Sequence, residues 1–256
     1  SGWNNPGFET PITLPGTTDM ARLGTPNALR PEMTQPQMLR LTRNYSYLGA
    51  AYYTREIKIP ASAAGKRAVL NLERVLWKSD VWVDGRKVEP IVGKSQVDLH
   101  RYDLTSFLTS GATHRLTVRV DNRRQFDVSV RELAHAYTND TQTIWNGMLG
   151  DLSIDFMPVN HIRHLAVYPD VDARKATVSL EIYAEAYEEG AEVRIRAVDR
   201  SGRNAVAALK REITLDPGLN RIEIDCPMGD DVRLWSEFSP AVYRIEARLA
   251  SGAGEH

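Results

Sequence analysis

The sequence predicts an all-β protein, built as two β-sandwiches in series. Three observations predict it. Apolar and polar residues alternate over short runs along most of the chain, the period of strands with one buried face. Turn chemistry separates the runs, at Asp84-Gly85, Ser201-Gly202 and Asp216-Pro217-Gly218. No long amphipathic helical pattern interrupts them, which argues against an α/β enzyme fold. The length of 256 residues suits about two domains.

Residues Ser1 to Arg43 are irregular, because Pro6, Pro11, Pro15, Pro26, Pro31 and Pro36 break helices and central strands alike. One short strand is expected at Ile12-Thr13-Leu14, then a turn over Pro15 to Asp19. Tyr52 to Ile59 alternates and is stopped by Pro60, and Gly65 turns the chain back. Leu70 and Leu72 then point one way while Asn71 and Glu73 point the other. Val81 and Val83 share a face opposite Trp82, and Asp84-Gly85 supplies the positive φ angles of a tight hairpin that returns through Arg86-Lys87-Val88. Tyr102 to Thr105 leads into a short helical turn near Phe107. Leu116, Val118 and Val120 form another strand. Arg123 to Asp140 is polar and reads as a long loop. Leu152, Ile154 and Phe156 close the first sandwich.

The domain boundary is expected at Met157 to Asn160, giving domains 1–158 and 159–256. Beyond it Val178, Leu180, Ile182 and Ala184 form one face, and Val193, Ile195 and Ala197 another. Ile213 and Leu215 precede the Asp216-Pro217-Gly218 turn, Ile222 and Ile224 come after it, and Tyr243, Ile245, Ala247 and Leu249 alternate with charged residues. Short strands at this spacing read as an immunoglobulin-like sandwich without its disulfide.

A formal net charge of −1 gives no field for nucleic acid and no polybasic segment for a membrane. No apolar run approaches the ~20 residues that cross a bilayer. The single Cys226 excludes an intrachain disulfide and a cysteine-built metal site; in phase with Ile222 and Ile224, it reads as a buried structural thiol. No signal peptide is legible. The chain opens on Ser1-Gly2 without Met, which leaves a removed leader open, and the reading leans to a periplasmic or secreted protein.

Five segments together resemble the non-catalytic N-terminal part of glycoside hydrolase family 2, the β-galactosidase and β-glucuronidase group. Leu14-Pro15-Gly16-Thr17-Thr18-Asp19 is similar to the opening of that family's sugar-binding domain. Tyr53-Thr54-Arg55 with Ile57 to Pro60 is similar to its first regular strand. Leu72 to Val75 through Val81 to Gly85 is similar to its central pair, with Asp-Gly where Asn-Gly is commoner. Trp145-Asn146-Gly147 with Gly150-Asp151-Leu152 resembles its closing strand. Leu234-Trp235-Ser236 through Pro240 to Tyr243 resembles the end of its immunoglobulin-like domain. The resemblance implies a galactose-binding-like jelly roll followed by an immunoglobulin-like sandwich. It also implies a retaining exo-glycosidase, β-galactosidase-like, whose (β/α)8 barrel comes after these domains and carries both catalytic glutamates.

Retaining hydrolysis needs two carboxylates about 5 Å apart, and the sequence offers no pair to nominate. Glu188-Glu189 reads as a solvated turn and Glu73 as an ion-pair partner, so no catalytic residue is assigned to this chain. In the family the loop before the closing strand leans over the barrel and touches the terminal sugar. Here that loop is His135 to Thr143, and the substrate-binding candidates are His135, Thr138, Asn139, Asp140, Trp145 and Asn146. The bland reading of the same loop is a solvated surface.

Trp77, Trp82 and Trp145 invite sugar stacking, but packing, in the core or between domains, is the preferred reading for all three, with Trp82, opposite Val81 and Val83, expected to cover a second layer. Trp235 is expected to plug the second domain against its C-terminal neighbour. Asp98, Tyr102 and Asp103 do not make up the six or more oxygens of a calcium loop, and Asp103 suits capping the helical turn. His161 and His164, three apart on a strand, are expected on opposite faces. Arg123-Arg124 reads as solvated, with a uronate clamp as a weaker alternative. No metal or cofactor is expected. The expected partners are carbohydrate and the barrel. Two rival readings stand beside the hydrolase fragment: a stand-alone carbohydrate-binding protein, and a structural spacer or interaction module.

Overall fold

The structure, a computed structural model, describes residues 10–26, 43–95, 98–125, 144–200, 202, 206–252 and 254–255. The chain divides into two compact units, Ser1–Phe156 and Met157–His256. The described residues are strands and turns, with 3-10 turns at Ala61–Ala63 and Thr105–Phe107 and no α-helix.

The first unit holds β1 (Gly16–Thr17), β2 (Thr25–Pro26), β3 (Tyr45–Ser46), β4 (Ala50–Lys58), β5 (Arg67–Arg74), β6 (Lys78–Val83), β7 (Arg86–Val88), β8 (Pro90–Val92), β9 (His100–Asp103), β10 (Thr113–Asp121) and β11 (Gly147–Met157). One sheet runs β1-β11-β5-β9-β8 and the other β4-β10-β6-β7; β2 and β3 pair separately. Leu70 and Leu72 from β5, Tyr102 from β9 and Met148 from β11 meet Tyr53, Val81, Val83, Val118 and Val120 from the other sheet in one core. Each such Val or Leu contributes roughly 1.5–3 kcal/mol by leaving water. The hairpin forms as its Asp-Gly pair requires: φ is 49° at Asp84 and 79° at Gly85, and Val83 pairs with Arg86. The short strand near the start lies at Gly16–Thr17, not at Ile12–Leu14; Ile12 and Leu14 instead pack on the core.

The second unit holds β12 (His161–Asp170), β13 (Lys175–Ala184), β14 (Glu188–Asp199), β15 (Val206–Leu215), β16 (Gly218–Pro227), β17 (Tyr243–Ser251) and β18 (Gly254–Glu255). Its sheets run β12-β13-β16 and β15-β14-β17-β18. Val178, Leu180, Ile182 and Ala184 are fully buried against Val193, Ile195, Leu215 and Leu249, and Cys226 is a buried thiol among them. The second unit is therefore a disulfide-free two-sheet sandwich.

Two expectations are corrected here. Glu188-Glu189 is not a solvated turn: Glu188 opens β14, and its carboxylate accepts from Asn160 Nδ2 (2.9 Å) and the Gly252 N–H (2.6 Å). His161 and His164 do not oppose each other. A bulge lies between Ile162 and His164, so His161 faces Tyr183 and His164 faces Glu181, residues two apart on the same side of β13. Such a bulge resets the alternation of the strand that carries it.

Candidate functional site

The 126–143 segment leaves from β10 and returns at β11, and the structure describes both of its anchors. On the outgoing side, alternation along β10 turns Asp121 away from the Val118–Val120 core face. Its carboxylate, nearly closed to solvent, accepts from Arg123 Nε (2.9 Å) and Nη2 (2.6 Å), from the Arg123 N–H (3.1 Å) and from Arg119 Nη2 (2.6 Å). The Arg123 hydrogen bonds are the main reason the Asp121 pKa falls to about 2; Arg119 and the Arg123 charge lower it further, against the cost of burial. The Arg123 guanidinium is thus fixed by both carboxylate oxygens and not simply solvated.

Asn122 comes next and is fully buried. Its Oδ1 accepts the Gly49 N–H (2.8 Å), and its Nδ2 donates to the carbonyls of Tyr47 (2.7 Å) and Trp145 (3.1 Å). One side chain therefore ties both ends of the segment to the turn between β3 and β4. The sequence carries a signal for it, an Asn directly after a clean strand, but nothing local names its partners.

On the returning side, Trp145 is half-buried and Asn146 is fully buried. Asn146 Oδ1 accepts from the Tyr53 hydroxyl (2.7 Å), its Nδ2 donates to Gly49 O (3.0 Å) and Val120 O (3.2 Å), and its carbonyl accepts from the Thr18 N–H (2.9 Å). Burial raises the Tyr53 pKa, which keeps that hydroxyl a donor. Asn146 therefore anchors the returning strand, with its side-chain amide spent on the interior of the unit. His135, Thr138, Asn139 and Asp140 lie outside the described residues.

Two glycines shape the start of β11. Gly147 has φ 148°, and a Cβ there would meet the Gly16 carbonyl as β1 crosses β11. Gly150 has φ 73°, and a Cβ there would collide with the Glu73 carboxylate. That carboxylate accepts the Asp151 N–H (2.7 Å) and sits 3.3 Å from Arg74 Nε. Glu73 is therefore a turn-holding acceptor as well as an ion-pair partner.

Of the tryptophans, Trp77 is fully buried in the first unit, while Trp82 stands half-buried on the outer face of its sheet, 6.3 Å from Tyr52. Asp103 accepts from the Thr105 N–H (3.0 Å) and hydroxyl (2.6 Å) and pairs with Arg67. Asp98 bonds Ser95. Among the described residues no group of three or more His, Cys, Asp or Glu is placed to hold a metal ion.

The second unit carries an open apolar groove of about 450 Å³, lined by Val171, Ala176, Met228, Trp235, Val242 and Ile245 among others. Leu234 and Trp235, which line it, are 54% and 64% exposed, and Phe238 in the same stretch of chain is 90% exposed. The segment that carries them is no strand. It folds on itself through Ser236 and Ser239, each N–H donating to the other's carbonyl at 3.1 Å.

Residues 160–256 match the family model described as glycosyl hydrolases family 2. No curated protein matches the sequence. Solved structures do. A glycosyl hydrolase family 2 member from Bacteroides cellulosilyticus aligns at TM-score 0.65 and 19% identity, over 95% of this chain and 31% of that one. A Bacteroides uniformis β-glucuronidase aligns at TM-score 0.63 and 21% identity, over 88% and 27%. A β-D-glucuronidase from Dictyoglomus thermophilum aligns at TM-score 0.58 and 18% identity, over 82% and 35%. At these identities the likeness is one of fold. The chain spans between about a quarter and about a third of the length of these proteins.

Proposed function

We infer the function from the premise that residues 160–256 are a family 2 glycosyl hydrolase segment. On that premise the chain is the non-catalytic N-terminal portion of a retaining exo-glycosidase, β-galactosidase-like, that removes terminal sugars from oligo- or polysaccharides. Its two sandwiches buttress a (β/α)8 barrel of the longer polypeptide. The segment from His135 to Thr143, launched from the Asn122 and Asn146 anchors, completes the barrel's sugar subsite from the side. His135, Thr138, Asn139 and Asp140 supply the polar contacts, and Trp145 borders them.

The observation that carries this reading is the apolar cluster of Leu234, Trp235, Phe238 and Val242 on the second unit. Exposed apolar patches of this kind mark surfaces that another protein surface covers, and a supporting domain needs one where the barrel docks. The coding sequence beyond the His256 codon tests it. The expected result is a barrel with two strand-end glutamates; a stop codon there would sink the proposal. In the longer enzyme, His135→Ala and Asp140→Ala are expected to lower kcat/KM about tenfold or more, on galactosides and glucuronides assayed side by side. Unchanged values would remove the segment from the subsite.

A second reading, a stand-alone carbohydrate-binding protein, is favoured by one observation: the Tyr52–Trp82 pair on an outer sheet face. Titration of the chain with simple galactosides and glucuronides separates the two readings. The supporting-domain reading expects millimolar affinity or none.

A further inference from the structure

The two sheets of the first unit leave an open cleft along one side. Strand β4 is the last of its sheet, and among the described residues it pairs only with β10. In the other sheet β1 pairs with β11 only at Gly147 and Met148, so from Leu149 onward that side of β11 has no strand beside it among the described residues. Between these two edges lies a space of about 410 Å³, a size at which small molecules are held. Leu70, Leu72, Val118, Met148, Leu152 and Ile154 make its lining apolar, and Leu14 and Pro15 border it just ahead of β1.

One charged side chain is turned into this space. Tyr53, Arg55 and Ile57 alternate along β4; Tyr53 lies opposite Val118 and Arg55 opposite Leu116, both residues of the core face of β10. Arg55 therefore sits on the inward face of an edge strand and lines the cleft. Its guanidinium has no ion pair and no hydrogen bond among the described residues. The other polar groups there are accounted for. The Tyr53 hydroxyl donates to Asn146 (2.7 Å). Thr54 lies opposite Thr117, and their hydroxyls meet at 3.4 Å on the outer face. Asp151 and Ser153 alternate with Leu152 and Ile154, which pack on the core, so their side chains face away.

An inward-pointing charge is a device that keeps a further strand off a sheet edge. A strand laid along β4 would bury Arg55, at the cost of an uncompensated charge. The occupant that fits brings an apolar body for the lining and its own anion for the guanidinium, and a planar carboxylate matches that fork of donors. We propose that the cleft binds an aliphatic monocarboxylate of medium chain length, with its carboxylate on Arg55 and its alkyl chain over Leu72, Leu152 and Ile154. The site touches no reacting bond, and it stands whether or not a barrel follows this chain.

Isothermal titration of the chain with octanoate, decanoate and decanol at neutral pH tests it. Saturable binding of one carboxylate per chain is expected, tightening about fourfold for each methylene added. Decanol, with the same tail and no charge, should bind about tenfold more weakly than decanoate, the scale of a lost charge-assisted hydrogen bond. Arg55→Gln should bring decanoate to the level of decanol, and Arg55→Lys should restore part of the difference. Thermal melts confirm that each variant is folded, and Arg55→Met stands in if Arg55→Gln is not. Trp235→Ser, in the exposed cluster of the second unit, should leave the binding unchanged. Four results would overturn the proposal: no saturable binding of decanoate, decanol as tight as decanoate, binding that survives the loss of the Arg55 charge, or binding lost with Trp235→Ser. A dimer in sedimentation that Arg55→Gln disrupts and decanoate does not would give the cleft to a second copy, and would overturn it too.

Discussion

Asn146 makes three side-chain hydrogen bonds inside the first unit, to Tyr53, Gly49 and Val120. Asn146→Ala strands all three partners, and unfolding in urea is expected to show a loss of about 3 kcal/mol. A loss below that of an ordinary surface change would mean the anchor is not structural. Gly150 gives a sharper case, because the Glu73 carboxylate adds to the strain that a side chain meets at φ 73°. Gly150→Ala should destabilise, and Glu73→Ala should recover part of that loss, giving a coupling of about 1 kcal/mol in a double-mutant cycle. Acid sensitivity draws on two kinds of group, a buried imidazole and carboxylates held by hydrogen bonds and opposite charges. His100 is fully buried, and its Nε2 lies 3.1 Å from the Ser95 carbonyl, which can only accept. Nε2 therefore carries the proton, and Nδ1 accepts from the Ser79 hydroxyl at 2.5 Å. Burial lowers the His100 pKa. The unfolded chain then binds the proton more readily, so stability is full above the ordinary His pKa of about 6.5 and falls as pH drops below it. Asp121, down at about 2, adds stability that is full above its ordinary value and is lost as pH falls from about 4 towards 2. Two descending steps are expected in stability against pH. His100→Gln should remove the upper one, and an unchanged upper step would refute the assignment.

At the scale of elements, most strands are legible in the sequence because one face of each is buried and alternation records it. Val178, Leu180, Ile182 and Ala184 alternate without a break, and all four are fully buried. Leu180→Ala is expected to cost about 2–5 kcal/mol in the second unit, measured by thermal unfolding. A cost under about 1 kcal/mol would mean the site collapses freely. Strand β12 leaves a weaker trace. It is an edge strand of its sheet, its bulge shifts the period after Ile162, and Tyr168 is exposed where a core residue would have announced it. The opening strand lies off its expected place for a related reason. Two residues of pairing at Gly16–Thr17 are fixed by the close passage of β11 at Gly147, which no local pattern encodes. The anchors of the candidate site are only half legible. Trp145-Asn146-Gly147 stands out as a motif, yet Asn122, Tyr47 and Gly49 become its neighbours only when strands far apart in sequence come together. Glu188 departs from expectation because a charged pair beside a glycine resembles a turn, whereas its carboxylate bonds Asn160, 28 residues away.

For the whole molecule, the exposed cluster on the second unit carries the clearest consequence. Leu234, Trp235, Phe238 and Val242 bring large apolar side chains to the surface within nine residues, beside the groove floored by Ala176, Met228 and Ile245. Water gains nothing from such a surface, and nothing in the fold of the unit requires Phe238 to stand 90% exposed. Two outcomes are expected from one pair of substitutions. In this chain alone, Trp235→Ser and Phe238→Ser remove contacts with solvent and little else, so stability should move by no more than about 0.5 kcal/mol. Binding of a hydrophobic dye should fall. In the longer polypeptide of the proposed enzyme, the same residues become anchors buried against the barrel. There each should cost about 2 kcal/mol or more, as central aromatic anchors do, and cleavage by a protease between the domains should speed up accordingly. Equal effects in both contexts would mean that the cluster packs within the second unit, and the barrel-docking role would then have to be given up.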